Sequence, residues 1–89
     1  MKTLYSNIPS LDLHGFDRDY AKICIKDFIM DNYKLKKEKV AIIHGIGTGI
    51  LRKATQEVLK HNKYIDSYKI DNFNSGMTIV TLKKPKYKK

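Results

Sequence analysis

The dipeptide His-Gly occurs twice in this chain, each time after a short apolar run and before a helix-like pattern. His14-Gly15 closes the run Leu11-Asp12-Leu13, and His44-Gly45 closes Val40-Ala41-Ile42-Ile43. A chain that passes twice from strand through His-Gly into helix is expected to set its first two strands parallel, each crossover running over the sheet with right-handed sense. Parallel neighbours place their carboxyl ends side by side. Ligands of open α/β sheets collect outside those ends, so the repeat predicts a site as well as a fold.

The 89 residues suffice for one domain. A chain of this size buries roughly 60–65% of its unfolded surface, enough for one modest core. The single cysteine, Cys24, excludes an intrachain disulfide and fits a reducing, cytoplasmic setting. No apolar run approaches the ~20 residues of a membrane span, and the opening Met1-Lys2-Thr3-Leu4-Tyr5-Ser6 lacks the apolar stretch of a signal peptide. Charge is the strongest compositional signal. Eighteen basic residues against nine acidic ones give a net charge of +9. Such a field concentrates polyanions, of which nucleic acid is the most common in a cytosol.

The pattern along the chain reads β-α-β-α-β-β. Residues 1–9 form a polar lead-in, residues 10–83 the folded domain and residues 84–89 a basic tail. The first strand covers Leu11 to His14. Asp17 is placed to cap the first helix, with Asp19 favourable in its first turn. Ala21, Cys24, Ile25, Phe28 and Ile29 recur at helical spacing. The polar stretch from Asp31 to Lys39 is expected to be the exit turn. Val40 to Ile43 is the second strand. Ile50, Leu51, Ala54, Val58 and Leu59 are the expected buried face of the second helix, which ends near Asn62. Tyr64 to Ile70 and Met77 to Leu82 are the last two strands, joined as a hairpin by the turn formers from Asp71 to Gly76. The expected architecture is an α/β (α+β) two-layer sandwich: a mixed four-stranded sheet with both helices on one face.

Three glycines at alternate positions, Gly45, Gly47 and Gly49, let the backbone approach a ligand closely. The helix that follows exposes unpaired N–H groups that favour an anion. Ile50 stands where a dinucleotide fingerprint needs glycine, and the Gly-Lys-Ser/Thr of a Walker loop is missing. Only two of the eighteen basic residues are arginines, and each falls near the start of a helix after a His-Gly corner: Arg18 and Arg52. Guanidinium forks suit phosphate oxygens. Thr48, Arg52, Lys53 and Arg18 therefore join the three glycines as candidate phosphate-binding residues. Asp12 and His14, two apart on one strand, are expected to share a face. That pair can orient and activate an imidazole or hold a divalent metal such as Mg or Mn. Taken alone, an Asp-x-His pair is more often a structural hydrogen bond at a strand end, and the glycines alone can be a plain corner. His44, arriving at the neighbouring strand end, is a candidate second acid/base. His61 lies at the far end of the second helix, and Cys24 reads as core.

Together the Leu11-Asp12-Leu13-His14-Gly15 motif, the His44-Gly45-x-Gly47-x-Gly49-x-Leu51-Arg52 motif and the closing Gly76-x-Thr78-x-Val80-x-Leu82 strand resemble the Small MutS-Related (Smr) domain. The resemblance covers about residues 9 to 83. It implies a two-layer fold similar to the C-terminal domain of bacterial translation initiation factor three. It also implies nucleic-acid binding and, in many members, endonuclease activity on DNA or RNA. Members occur as the tail of MutS-like ATPases and as small free-standing proteins, and some act on messenger RNA at stalled or collided ribosomes. Others of the MutS-related kind point to DNA repair or recombination. The resemblance ties Asp12, Leu13 and His14 to cleavage and His44, Gly45, Gly47 and Gly49 to the loop that contacts nucleic acid.

The expected function is thus a nucleic-acid-binding domain that cleaves phosphodiester bonds of RNA or DNA. His14 is the general acid or base, and Asp12 orients it or holds a metal. His44 is the second acid/base, and the glycine-loop amides with Arg52 hold the phosphate. Nucleic acid is the expected partner, the ribosome a further one, and a monomer the expected state. The competing class is a non-catalytic binding module; a third is a domain for a small phosphate ligand.

Overall fold

The computed structural model describes residues 8–85. The expected lead-in up to residue 7 and the basic tail from residue 86 lie outside the described residues. The elements follow the expected order: β1 (Ser10–Asp12), α1 (Arg18–Lys34), β2 (Lys39–Ile43), α2 (Ile50–Lys60), β3 (Ile65–Ile70) and β4 (Met77–Leu82). They form one mixed sheet of order β1-β2-β4-β3. β1 runs parallel to β2, with Leu11 opposite Ile42 and Asp12 opposite Ile43. β4 is antiparallel to both β2 and β3. It folds back from β3 and fills the space between β3 and β2, so the hairpin's second strand becomes central.

Alternation along the strands sends Val40 and Ile42 of β2 and Val80 and Leu82 of β4 to the helical face. There they join Leu13, Ala21, Ile25 and Ile29 of the α1 side and Val58 and Leu59 of α2 in one core. Both helices thus cover the same face of the sheet. The opposite face carries Lys39 and Thr81, whose Nζ and Oγ1 lie 3.2 Å apart.

The helices begin differently. Asp17 caps α1, its carboxylate accepting the Tyr20 N–H at 2.8 Å, and Asp19 follows in the first turn. Both acidic groups suit the positive end of the helix dipole. α2 has Gly49 at its cap in the left-handed region (φ 86°), no side chain bonded as a cap and no acidic residue in its first turn.

Most element ends fall within one or two residues of the sequence reading; the ends of α1 and β1 carry the differences that matter. α1 continues through the polar stretch to Lys34, because Asn32, itself buried, bonds back to the Phe28 carbonyl at 2.8 Å. It ends in a Schellman arrangement, with Lys36 N–H bonded to Tyr33 O and Lys37 N–H to Asn32 O. The left-handed position is held by Lys36 (φ 64°) where glycine is the usual signal. β1 stops at Asp12, so His14 stands beyond the strand. Ile50, expected in the buried face of α2, is 55% exposed; Thr55 takes a buried place instead and bonds the Leu51 carbonyl at 2.8 Å.

Candidate functional site

The residues just before the two histidines are hydrogen-bonded to each other: Leu13 N–H donates to the Ile43 carbonyl at 2.9 Å. The parallel pairing therefore delivers both His-Gly corners to the same end of the sheet. The turn between β3 and β4 arrives at that end as well, since Met77 pairs with Ile43.

The first corner is a tight turn. Phe16 N–H bonds the Leu13 carbonyl at 2.9 Å, which puts His14 and Gly15 at its two central positions. Gly15 has φ 81°, the backbone that the second central position of a type II turn demands and that glycine adopts without penalty. Leu13 points into the core and is fully buried, while Asp12 and His14 are exposed. The expected face-sharing of Asp12 and His14 along one strand is corrected by this turn. The Asp12 carboxylate accepts the backbone N–H of His14 at 3.0 Å, so its visible task is to fix the turn. The imidazole of His14 has no partner among the described residues and projects into solvent.

The second corner is pinned from beneath. His44 is 6% exposed, with Nδ1 3.0 Å from the Gly45 carbonyl and Nε2 2.8 Å from Thr78 Oγ1. A carbonyl can only accept, so Nδ1 carries the proton and, in the neutral ring, Nε2 accepts from the Thr78 hydroxyl. Both ring nitrogens are engaged; an acid/base role for His44 would require breaking one of these bonds. The Gly76 carbonyl accepts both the His44 and Gly45 N–H groups at 2.9 Å. Contact is close enough that a Cβ on Gly76 would lie 3.1 Å from Gly45 Cα. The Gly45 amide, expected among the phosphate donors, is therefore committed to the hairpin.

Beyond Gly45 the loop opens. The N–H groups of Ile46, Gly47, Thr48 and Gly49 donate to no protein acceptor among the described residues, and Ile50 N–H has only the Thr48 hydroxyl at 3.4 Å. Consecutive free amides of this kind make an anion-binding concavity. Gly47 is informative because nothing in the fold requires it: its φ is not left-handed, and an added Cβ would meet nothing within 4 Å. The Arg52 guanidinium folds back over the corner, with Nη2 3.5 Å from the place a Gly49 Cβ would occupy. Arg52 and Lys53, cations in the first turn of α2, oppose the helix dipole, and a nearby anion would offset them.

Arg18 lies at the other helix start, whose amides Asp17 already caps, and its Nε is 3.5 Å from Asp19. The Lys22 ammonium, 2.7 Å away, holds the Glu57 carboxyl below its ordinary range, and Arg18 and Lys53 add to that lowering from the first turns of the two helices. A groove lined by Lys22, Lys26, Glu57, Val58, His61 and Tyr64 runs over the helical layer and includes neither corner.

Among the described residues no group of three or more His, Cys, Asp or Glu side chains comes together as a metal cage. At the first corner Asp12 is already bonded to the His14 amide.

The sequence pattern of the Smr domain matches residues 11–83. The chain belongs to the Smr domain family. It is 35% identical over 74 residues to the endonuclease MutS2 of Clostridium perfringens and 38% identical over 79 residues to that of Clostridium acetobutylicum, covering 83% and 89% of this chain. These stretches are 9% and 10% of the relatives, so the chain spans about a tenth of their length. The Smr domain of Thermus thermophilus MutS2 superposes with a TM-score of 0.82 at 26% identity, covering 85% of this chain and 99% of that one. YdaL, a stand-alone small MutS-related protein from Escherichia coli, has the same fold at a TM-score of 0.80 and 24% identity, covering 84% of this chain and 64% of that one. The expected fold and family are both borne out. Among the described residues no helix of this Smr domain is long and apolar enough to cross a membrane.

Two residues at this end of the sheet escape a sequence reading that looks for chemistry. Thr78 holds His44; its signals in the sequence are its place in the Gly76-x-Thr78 motif and a hydroxyl where alternation demands an apolar side chain. Gly76, counted as a turn former, is the contact point between the hairpin and the glycine loop.

Proposed function

We propose that this Smr domain binds nucleic acid at the open corner of α2 and cleaves a phosphodiester bond there, as an endonuclease acting on RNA or DNA. One observation carries the proposal: an exposed imidazole with no structural duty stands at the same sheet end as a run of free amides backed by Arg52. The names of the MutS2 relatives agree with this reading. The amides from Ile46 to Gly49, with Arg52 and Lys53, would hold the phosphate and stabilise the charge that develops on it. His14 would transfer the proton, to the leaving oxygen or from the attacking one. On RNA the attacking group can be the 2′-hydroxyl; on DNA it is water. His44 positions the loop, and Asp12 positions His14 through the turn. On RNA the setting would be messenger RNA at the ribosome, and on DNA repair or recombination.

A binding module without catalysis is the second reading. It is favoured by the Asp12 carboxylate, which bonds the His14 backbone and leaves the ring without an orienting partner. Incubation of the chain with labelled RNA, linear DNA and branched DNA, with and without EDTA, separates the two. Cleavage supports the nuclease; binding without cleavage of any substrate supports the module. Under either reading, affinity falls linearly with salt on logarithmic axes. Gly47→Ala is expected to weaken binding about ten-fold, since a methyl group enters the cradle and one or two charge-assisted bonds are lost. Its thermal unfolding should match wild type, because the added Cβ meets nothing. Undiminished affinity in Gly47→Ala would remove the phosphate from this loop.

A further inference from the structure

Phe73 is 98% exposed, beyond every other large apolar side chain among the described residues. It does not sit on a loose end. Asp71, itself buried, accepts the N–H groups of Phe73 and Asn74 at 3.0 and 2.9 Å. Asn74 Oδ1 accepts the Gly76 N–H at 3.0 Å, and Asp71 N–H closes the loop onto the Met77 carbonyl. Gly76 then joins this loop to the glycine corner through two amides. Phe73 is three residues from Gly76, so their Cα atoms are within roughly 11 Å. On the other side of that junction, Ile46 and Ile50 border the free amides and are 67% and 55% exposed. An exposed aromatic ring on a hydrogen-bonded loop and two exposed aliphatic side chains beside the free amides thus gather near one corner of a chain with net charge +9.

Phosphate beside a flat apolar ring is the repeating chemistry of a nucleic-acid strand. A paired duplex hides its base faces in the stack; an unpaired base offers one to an aromatic platform. The geometry points to Phe73 as the stacking platform for an unpaired nucleobase next to the phosphate held by the glycine corner, with Ile46 and Ile50 forming the apolar edge. The inference rests on the phosphate-binding reading of that corner. It adds a preference for single-stranded or locally open substrate over continuous duplex.

Binding of the full chain to a single-stranded oligonucleotide, a fully paired duplex and a single strand with abasic positions tests it. Phe73→Ala is expected to lose about ten-fold in affinity for the single strand and almost nothing for the duplex, while wild type loses a similar factor on the abasic strand. Phe73→Trp should retain affinity. It also introduces the chain's only tryptophan, whose fluorescence should be quenched on binding the single strand and not the duplex. Equal affinity of Phe73→Ala and wild type for the single strand would overturn the inference, as would equal losses on single strand and duplex. If Phe73→Ala instead changed only the sedimentation of the free chain, the ring would belong to a contact between copies and the inference would fail. The two readings fail separately: a wild type that binds no oligonucleotide removes the phosphate site, whereas binding sensitive to Gly47→Ala and indifferent to Phe73→Ala removes only the stacking platform.

Discussion

His14→Ala is expected to lower the rate of phosphodiester cleavage about 10²–10⁴-fold, the range a positioned general acid or base contributes. Affinity for uncleaved nucleic acid should stay within about two-fold, because phosphate contacts dominate it. Folding should be unaffected. The side chain is exposed at the tip of a turn whose geometry comes from Gly15 and from Asp12 bonding the His14 amide, so its removal leaves neither a cavity nor an orphaned group. Surface changes of that kind stay within about 0.5 kcal/mol. A time course of product formation at saturating substrate measures the loss, and equal rates for variant and wild type would sink the role of His14. Asp12→Asn divides the two tasks of its partner. It keeps an oxygen to accept the His14 N–H but carries no charge. Retained cleavage in Asp12→Asn would make Asp12 a turn former alone.

Thr78→Val should destabilise the fold by about 1–3 kcal/mol, the cost of leaving a buried polar atom without its partner. The two side chains have nearly the same shape, so the loss reports the missing hydroxyl bond rather than packing. His44 Nε2 would have no donor within a site that is 6% exposed. For a domain of this size the thermal midpoint should fall by about 4–24 °C, and the loss is a large part of the marginal stability of small proteins. Thr78→Ser, which keeps the hydroxyl, should recover most of it. Because His44 pins the glycine loop from below, Thr78→Val should also weaken nucleic-acid binding while the sheet remains intact. An unchanged midpoint in Thr78→Val would show that water replaces the hydroxyl and that His44 is no pin.

The repeated His-Gly unit was legible as architecture because each part of it answers to local physics. An apolar β-branched run pairs, a glycine after histidine permits the left-handed turn, and the helical spacing of Ala21, Ile25 and Ile29 or of Ala54, Val58 and Leu59 buries one face. What stayed illegible is set by contacts between distant segments. The end of α1 was hidden because Lys36 replaces the expected glycine and Asn32 satisfies itself within the helix. The exposure of Ile50 could not be read from helical spacing, which places it on the apolar side. The division of labour between the two histidines depends on Thr78, thirty-four residues from His44. Sequence treats the two imidazoles as equivalent; burial and partners make one a pin and leave the other available. Similarly, the glycine run reads as three equal residues, yet Gly45 and Gly49 serve left-handed backbone while Gly47 answers to nothing inside the chain.

The unsealed start of α2 makes the stability of this domain a function of what surrounds it. A helix that carries Arg52 and Lys53 in its first turn, with no acidic side chain or cap to offset them, is weaker in dilute buffer than its packing would allow. An anion that prefers this folded corner to the unfolded chain stabilises the fold, by at most RT ln(1 + [L]/Kd). The melting temperature is thus a gauge of occupancy: it should climb with added oligonucleotide and fall back as salt displaces it. Under the phosphate-binding reading, a domain built this way is at its most fragile when idle and firmest while holding its target.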